Sequence, residues 1–394
     1  MKRLRHILLL WCLSLMAMGC DLTVHEYPDN EISTPIVNFT LNLDFDTEMP
    51  LYEVMELSSR SSLSELKPEE LDVRYIINVY RDTKERQDSR DIIEQHIITK
   101  DDVTMLNHSV DLQLDEGDYI FLVWADYVDA GSSTGKFYNA DNFESIKIIT
   151  ENNIYIPANT DFRDAFRGRQ TASITAQNTD NVVTVEMKRP LAKFRYISTD
   201  LEEFITKMMA LKAKAEADRK TKESEEAKSR SEDMTGDEPE GTKSDDDDTK
   251  VDTKLEIKLE DYYVIFEYGW LNISYNAYTD RSDRSEQNMR FRSDITKISS
   301  TEAEIGFDYV IVNDTEGINT SSEIIPQVEV RLRVYQKGET ANDPDVEVGG
   351  FSKRLINLKR GHLTEVRGKF LSSQADGAVG ISPGFDDEFT YEIN

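Results

Sequence analysis

The chain has 394 residues, a formal net charge of −30 and 38% hydrophobic residues, enough apolar material for one to three packed domains. Such acidity, with no basic stripe to displace counterions, excludes nucleic acid as a partner. Two cysteines and five histidines form no cluster suited to structural zinc, and no cofactor fingerprint is present: there is no Walker-type loop, glycine-rich dinucleotide turn, His-Glu-x-x-His helix or Gly-x-Ser-x-Gly elbow.

Residues 1–19 read as a signal peptide. Lys2, Arg3 and Arg5 precede an apolar run from Ile7 to Met18, then Gly19 and Cys20, the layout of an exported and cleaved N-terminus. The run is shorter than the roughly 20 apolar residues a membrane-spanning helix needs. A cysteine directly after a small residue is what bacterial lipoproteins acylate. Cys20 is therefore expected to carry acyl chains such as palmitate and to hold the protein at the outer membrane, since each buried methylene adds about 0.8 kcal/mol. Residues 1–19 hold three basic and no acidic side chains, which leaves −33 on the remainder. Cys12 departs with the peptide, so no disulfide can form and packed cores must supply the stability.

Residues 20–35, polar and containing Pro28 and Pro35, read as a tether. From Ile36 a two-residue period begins. Val37, Phe39, Leu41, Leu43 and Phe45 alternate with polar residues, as do Val73, Tyr75, Ile77 and Val79 further on; each run predicts a strand with one buried face. Val110, Leu112 and Leu114 follow. Tyr119 to Ala125 is apolar on both faces, which predicts a central strand. Residues 181–188 alternate again. Leu201 to Ala217 is rich in Ala, Lys and Glu and predicts a helix; from Arg219 to Lys250, with Asp245-Asp246-Asp247-Asp248, the composition predicts a disordered acidic loop. The acids lack the ligand spacing of a calcium loop, so no metal is expected. Strands resume at Tyr262–Trp270, Phe307–Val312, Val328–Val334 and Leu363–Phe370. Phe389, Tyr391 and Ile393 alternate in a last short strand that could complete a sheet in its own chain or pair with another chain's edge.

The reading is a mainly β protein: two antiparallel β-sandwich domains at 36–190 and 191–371, the second with an insertion at 202–256, and a tail at 372–394. Paired acids are too numerous to mark a catalytic site, and His362 reads as a turn residue before a strand. Trp124 and Trp270, with Tyr127 and Tyr138, could form a sugar platform, but both tryptophans sit in apolar strand patterns that favour core packing.

Several segments resemble the fimbrial-anchor and fimbrillin-like lipoproteins of Bacteroides-group bacteria. They are Val123-Trp124-Ala125-Asp126-Tyr127, Phe137-Tyr138-Asn139-Ala140, Arg163-Asp164-Ala165-Phe166-Arg167-Gly168, Lys188-Arg189-Pro190-Leu191-Ala192-Lys193-Phe194, Phe266 to Asn276, Leu358 to Phe370 and Gly380 to Phe389. The resemblance implies two transthyretin-like sandwiches and a non-enzymatic surface lipoprotein. Its partners would be the membrane, through the lipid, and other fimbrial subunits, joined by strand exchange at open sheet edges. It also implies a possible processing cut after Arg60, in Ser58-Ser59-Arg60-Ser61-Ser62. The rival reading is a surface glycan-binding lipoprotein.

Overall fold

The computed structural model describes residues 35–55, 70–82, 91–177, 182–232, 256–313, 326–338, 340 and 342–373. The N-terminal half holds β1 (Ile36–Phe45), β2 (Leu51–Met55), β3 (Leu71–Arg81), β4 (Ile92–Lys100), β5 (His108–Asp115), β6 (Gly117–Asp129), β7 (Tyr138–Asn139), β8 (Ile146–Ile148), β9 (Ala165–Ile174) and β10 (Val182–Lys188). After β11 (Leu191–Ser198) comes the helix α1 (Leu201–Glu232). The remainder is β12 (Tyr262–Tyr268), β13 (Leu271–Asn276), β14 (Arg281–Glu286), β15 (Arg290–Asp294), β16 (Thr296–Lys297), β17 (Ala303–Ile311), β18 (Gln327–Gln336), β19 (Val346–Asn357) and β20 (Leu363–Gly368). The protein is mainly β, as its alternating pattern predicts.

A seven-stranded sheet, ordered β4-β3-β6-β9-β10-β1-β5, folds over on itself to make the first sandwich. The bend lies at β9 and β10, which share only the pairs Met187↔Gly168 and Lys188↔Arg167. Past the bend, β1 packs its apolar stripe across the core: Phe39 meets Phe121 at 5.5 Å, and Phe45 meets Tyr75 and Phe166 at 6.0 and 5.0 Å. These aromatic pairs join a core of Val73, Ile77, Leu112, Leu114, Val123, Val185 and Met187.

The sequence pattern of β3 predicts one buried face, but both are covered. Ile76 and Tyr80 on its second face, with Ile120, Leu122 and Trp124 of β6, enter a different core. What covers them is a small sheet, β14-β13-β8-β7, in which strands from both halves of the chain pair. Trp124 packs edge-on against Tyr138 at 5.5 Å and lies tilted by 40° against Tyr275 at 5.9 Å. That same core continues into the second sandwich, where the sheet β16-β17-β11-β20-β2 faces the sheet β15-β12-β18-β19. Tyr196 to Phe266 at 5.4 Å and Phe194 to Tyr268 at 6.2 Å are its central contacts. β2, from the N-terminal half, adds in parallel to β20.

The helix runs further than its composition predicts, to Glu232 and not only to Ala217. Residues 219–232 contain no Gly or Pro, and Lys, Arg, Ala and Glu are all good helix formers; Arg219 and Glu223 add an i,i+4 pair at 3.6 Å. Only its base is packed: Leu201, Phe204 and Met208 are buried, and Phe204 meets Tyr262 at 5.1 Å. Most residues from Met209 to Glu226 face solvent. Residues 233–255 of the expected acidic loop lie outside the described residues.

Gly168 is required by the bend. A Cβ there would lie 2.4 Å from both the Met187 sulfur and a Val185 methyl, and 3.0 Å from the Glu186 carbonyl oxygen. Gly168→Ala is expected to lower unfolding stability by about 1–3 kcal/mol, read as a shifted urea midpoint at unchanged slope.

Candidate functional site

Two of the crossings between the sandwiches, at residues 46–50 and 189–190, lie side by side. Arg189 holds them together. Its Nε donates to both carboxylate oxygens of Asp164, at 2.7 and 3.0 Å. Its Nη1 donates to the carbonyls of Glu48 (2.8 Å) and Asp46 (3.2 Å), and Nη2 to that of Thr47 (3.0 Å). The guanidinium lies 4.7 Å from the centre of the Phe166 ring. The fork geometry of arginine suits this task, since one planar group meets a carboxylate and three carbonyls at once.

Other buried pairs surround it. Arg163, fully buried, binds the buried Asp308, which also accepts from the Tyr268 hydroxyl and, at 2.8 Å, from the Tyr309 N–H. The Tyr138 hydroxyl donates to the Arg163 carbonyl at 2.7 Å. Arg74 binds Asp126 at 2.7 and 2.9 Å inside the small sheet's cover. Asp280 gathers Arg360 at 2.7 Å, Arg167 at 3.4 Å and the Tyr275 hydroxyl, while Arg360 Nε donates to the Arg189 carbonyl at 2.8 Å. Most of the segments that carry the family resemblance, those around Trp124, Tyr138, Arg163, Arg189 and Tyr268, therefore meet in one polar seam.

A model of a family of unknown function, DUF6562, matches residues 33–394. The chain belongs to this family. Among curated proteins none matches it. Among solved structures it is similar to the tip fimbrial protein Mfa3 of Porphyromonas gingivalis, truncated at its C-terminus, with 10% identity and a TM-score of 0.36 over 80% of this chain and 81% of that one. It is also similar to the fimbrial anchor protein Mfa2 of the same organism, with 8% identity and a TM-score of 0.33 over 82% of this chain and 100% of that one.

The residues singled out by sequence fall in different places. Trp124 and Tyr138 are fully buried and Tyr127 is half-buried against Phe162, so they cannot form a sugar platform together. Trp270 departs from its expected core position: it sits in the turn between β12 and β13 and is 58% exposed. His362 stands in the turn before β20, with Nδ1 2.8 Å from the Arg360 carbonyl oxygen. Cys20, Arg60, Phe389, Tyr391 and Ile393 lie outside the described residues. Among the described residues no group of three or more His, Cys, Asp or Glu side chains is placed to hold a metal. The Arg–Asp seam escaped the sequence reading because its partners are far apart in the chain; only the presence of Arg163, Asp164 and Arg189 within the resembling segments pointed to it.

Burial pushes the Asp126 and Asp308 carboxyls up, against the pull of Arg74 and Arg163. Asp164 is raised by burial from 3.8 to about 6, with Arg189 acting in the opposite direction. A carboxyl raised on folding keeps its proton in the native state where the unfolded chain has lost it. Its contribution to stability is complete below pH 3.8 and fades as pH rises through about 6. Asp164→Asn should therefore remove the part of the decline in unfolding free energy between those two pH values that this group causes, measured by urea titration across the range. Arg189→Met, which strands the Asp164 carboxylate in the core, is expected to cost about 3–5 kcal/mol, read from the urea midpoint at pH 7.

Proposed function

We propose that this protein is a non-enzymatic, lipid-anchored surface protein, an anchor or accessory subunit of a fimbria assembled by strand exchange. In this reading residues 1–19 are the signal peptide, Cys20 carries the lipid, residues 20–35 form the tether, and the two transthyretin-like sandwiches span 36–190 and 191–371. The observation that carries the reading is β4. It ends the seven-stranded sheet and, among the described residues, pairs only with β3, so one side of its backbone meets no other described strand. Soluble proteins normally blunt such an edge with charge or proline. Beside Glu94 and Lys100, this one also presents Ile92, Ile93 and Ile97, which are 46, 44 and 50% exposed. An edge of this kind has the two things a donated strand uses: a row of backbone hydrogen-bonding groups and apolar contacts at its side chains.

Buried carboxylates support the non-enzymatic part of the reading, because Asp126, Asp164 and Asp308 are each tied to an arginine and hold the frame. No helix among the described residues is long and apolar enough to cross a membrane; in this reading attachment is through Cys20.

Two experiments test the proposal. Cys20→Ser should move the protein from the envelope fraction to the soluble periplasmic or secreted fraction; retention in the envelope would sink the anchor. Replacing Ile93 and Ile97 together by Lys should abolish co-purification with partner subunits and shorten or detach surface fibres, while thermal unfolding of the isolated protein stays within about 1 kcal/mol, as expected for exposed sites. Fibres of normal length and attachment would count against strand exchange at this edge.

A further inference from the structure

The outer face of the sheet β15-β12-β18-β19 carries four arginines in a strand-defined array. Arg290 and Arg292 alternate with the buried Phe291 on β15, and Arg331 and Arg333 with the buried Leu332 on β18. The register sets Arg292 and Arg333 on either side of Ile265, and Arg290 and Arg331 on either side of Glu267. Strand spacing and rise place the four backbone positions at the corners of a rectangle of roughly 10 by 7 Å.

Carboxylates offset only part of this charge. Glu267 lies 3.9 Å from Arg290 and 3.5 Å from Arg333, and Glu347 lies 3.0 Å from Arg333. Arg292 and Arg331 make no ion pair with any described residue. The buried Nε of Arg290 has no hydrogen-bond acceptor among the described residues, and that of Arg333 faces Glu267 at 3.5 Å without hydrogen-bond geometry. Arg292 is held in advance: its guanidinium lies 3.8 Å from the centre of the Tyr263 ring, that ring stacks on Tyr335 at 5.3 Å and 15°, and the Tyr263 hydroxyl donates to Asp345 at 2.6 Å. Beside it opens a shallow cleft of about 450 Å³, lined by Tyr155, Ile156, Pro157, Tyr263, Ile265 and Arg292, with Glu151 also in its wall.

We propose that this face binds an anionic carbohydrate, one carrying carboxylate or sulfate groups on its sugar rings. The chain as a whole is strongly acidic, so a face with four guanidinium groups, of which Arg331 has no ion pair among the described residues and Arg292 faces only the more distant charge of Asp345, is electrostatically distinct from its surroundings. Guanidinium forks meet carboxylate and sulfate oxygens bidentately, and the cleft offers Tyr155 and Pro157 to the apolar face of a sugar ring. A peptide strand cannot be added between these rows, because β12 and β18 are each paired on both edges, and the outer edge of β15 at Arg290 already bonds Ile154 and Ile156; groups standing on the face are what it recognises. The inference does not depend on the fimbrial role, since it uses neither Cys20 nor β4.

The test is calorimetric titration of the full mature chain, made soluble by Cys20→Ser, with a galacturonate tetrasaccharide, a heparin-derived tetrasaccharide, maltotetraose and tetraglutamate. Binding is expected for at least one of the anionic saccharides, weakening as salt rises, with none for maltotetraose. Arg292→Ala combined with Arg331→Ala should weaken it at least tenfold. The single exposed-site variant Arg292→Gln should weaken it several-fold and supplies the answer if the double variant does not fold. Silence with both anionic saccharides, equal binding of maltotetraose, or unchanged affinity in the variants would overturn the proposal. So would tetraglutamate binding as tightly as the saccharides, which would make this a docking face for acidic protein.

Discussion

Arg189 is the point on which the architecture turns. Of the passages that connect the sandwiches, one leads from β1 to β2 and another from β10 to β11, and one guanidinium holds the first of these by three of its carbonyls while standing at the other. Without that clamp the Asp164 carboxyl, buried beside it, would lose its partner, and a buried polar group left unsatisfied is costly. The neighbouring pairs Arg163–Asp308 and Arg167–Asp280–Arg360 extend the same solution along the seam. Ion pairs buried this way add little net stability compared with hydrophobic packing, but they tolerate no missing member.

Most of the described segments that carry the resemblance lie inside the molecule. Trp124, Tyr138, Arg163 and Tyr268 are core and seam residues. They set how one sandwich sits on the other and leave the sheet edges and outer faces, where recognition takes place, free to differ.

Much of the fold was legible from strand periodicity. The stripes of β1, β10 and β18 appear in the sequence as strict alternation, because each of these strands has one wet face. β6 was legible as a central strand because both its faces are apolar. β3 was not, since its second face mixes Asp72, Arg74 and Asn78 with Ile76 and Tyr80, and polar residues buried by pairing look exposed in a linear pattern. β2, β7 and β8 leave little trace in the sequence because they are short, and β2 and β8 find partners in the distant half of the chain. Trp270 was misread because an aromatic at the end of an apolar run looks like strand until the turn is known. The arginine array became visible only through register, which brings β15 and β18 to opposite sides of β12.

The parallel pairing of β1 with β10 has a mechanical consequence. A molecule held at its N-terminal end feels any drag on its body through Ile36, at the start of β1. β1 is an inner strand, bonded to β10 along residues 40–45 and to β5 along residues 36–43. Tension directed along that strand strains all of these rungs together, in shear, and cannot peel them one after another. The chain thus enters its first sandwich by a route suited to bearing load.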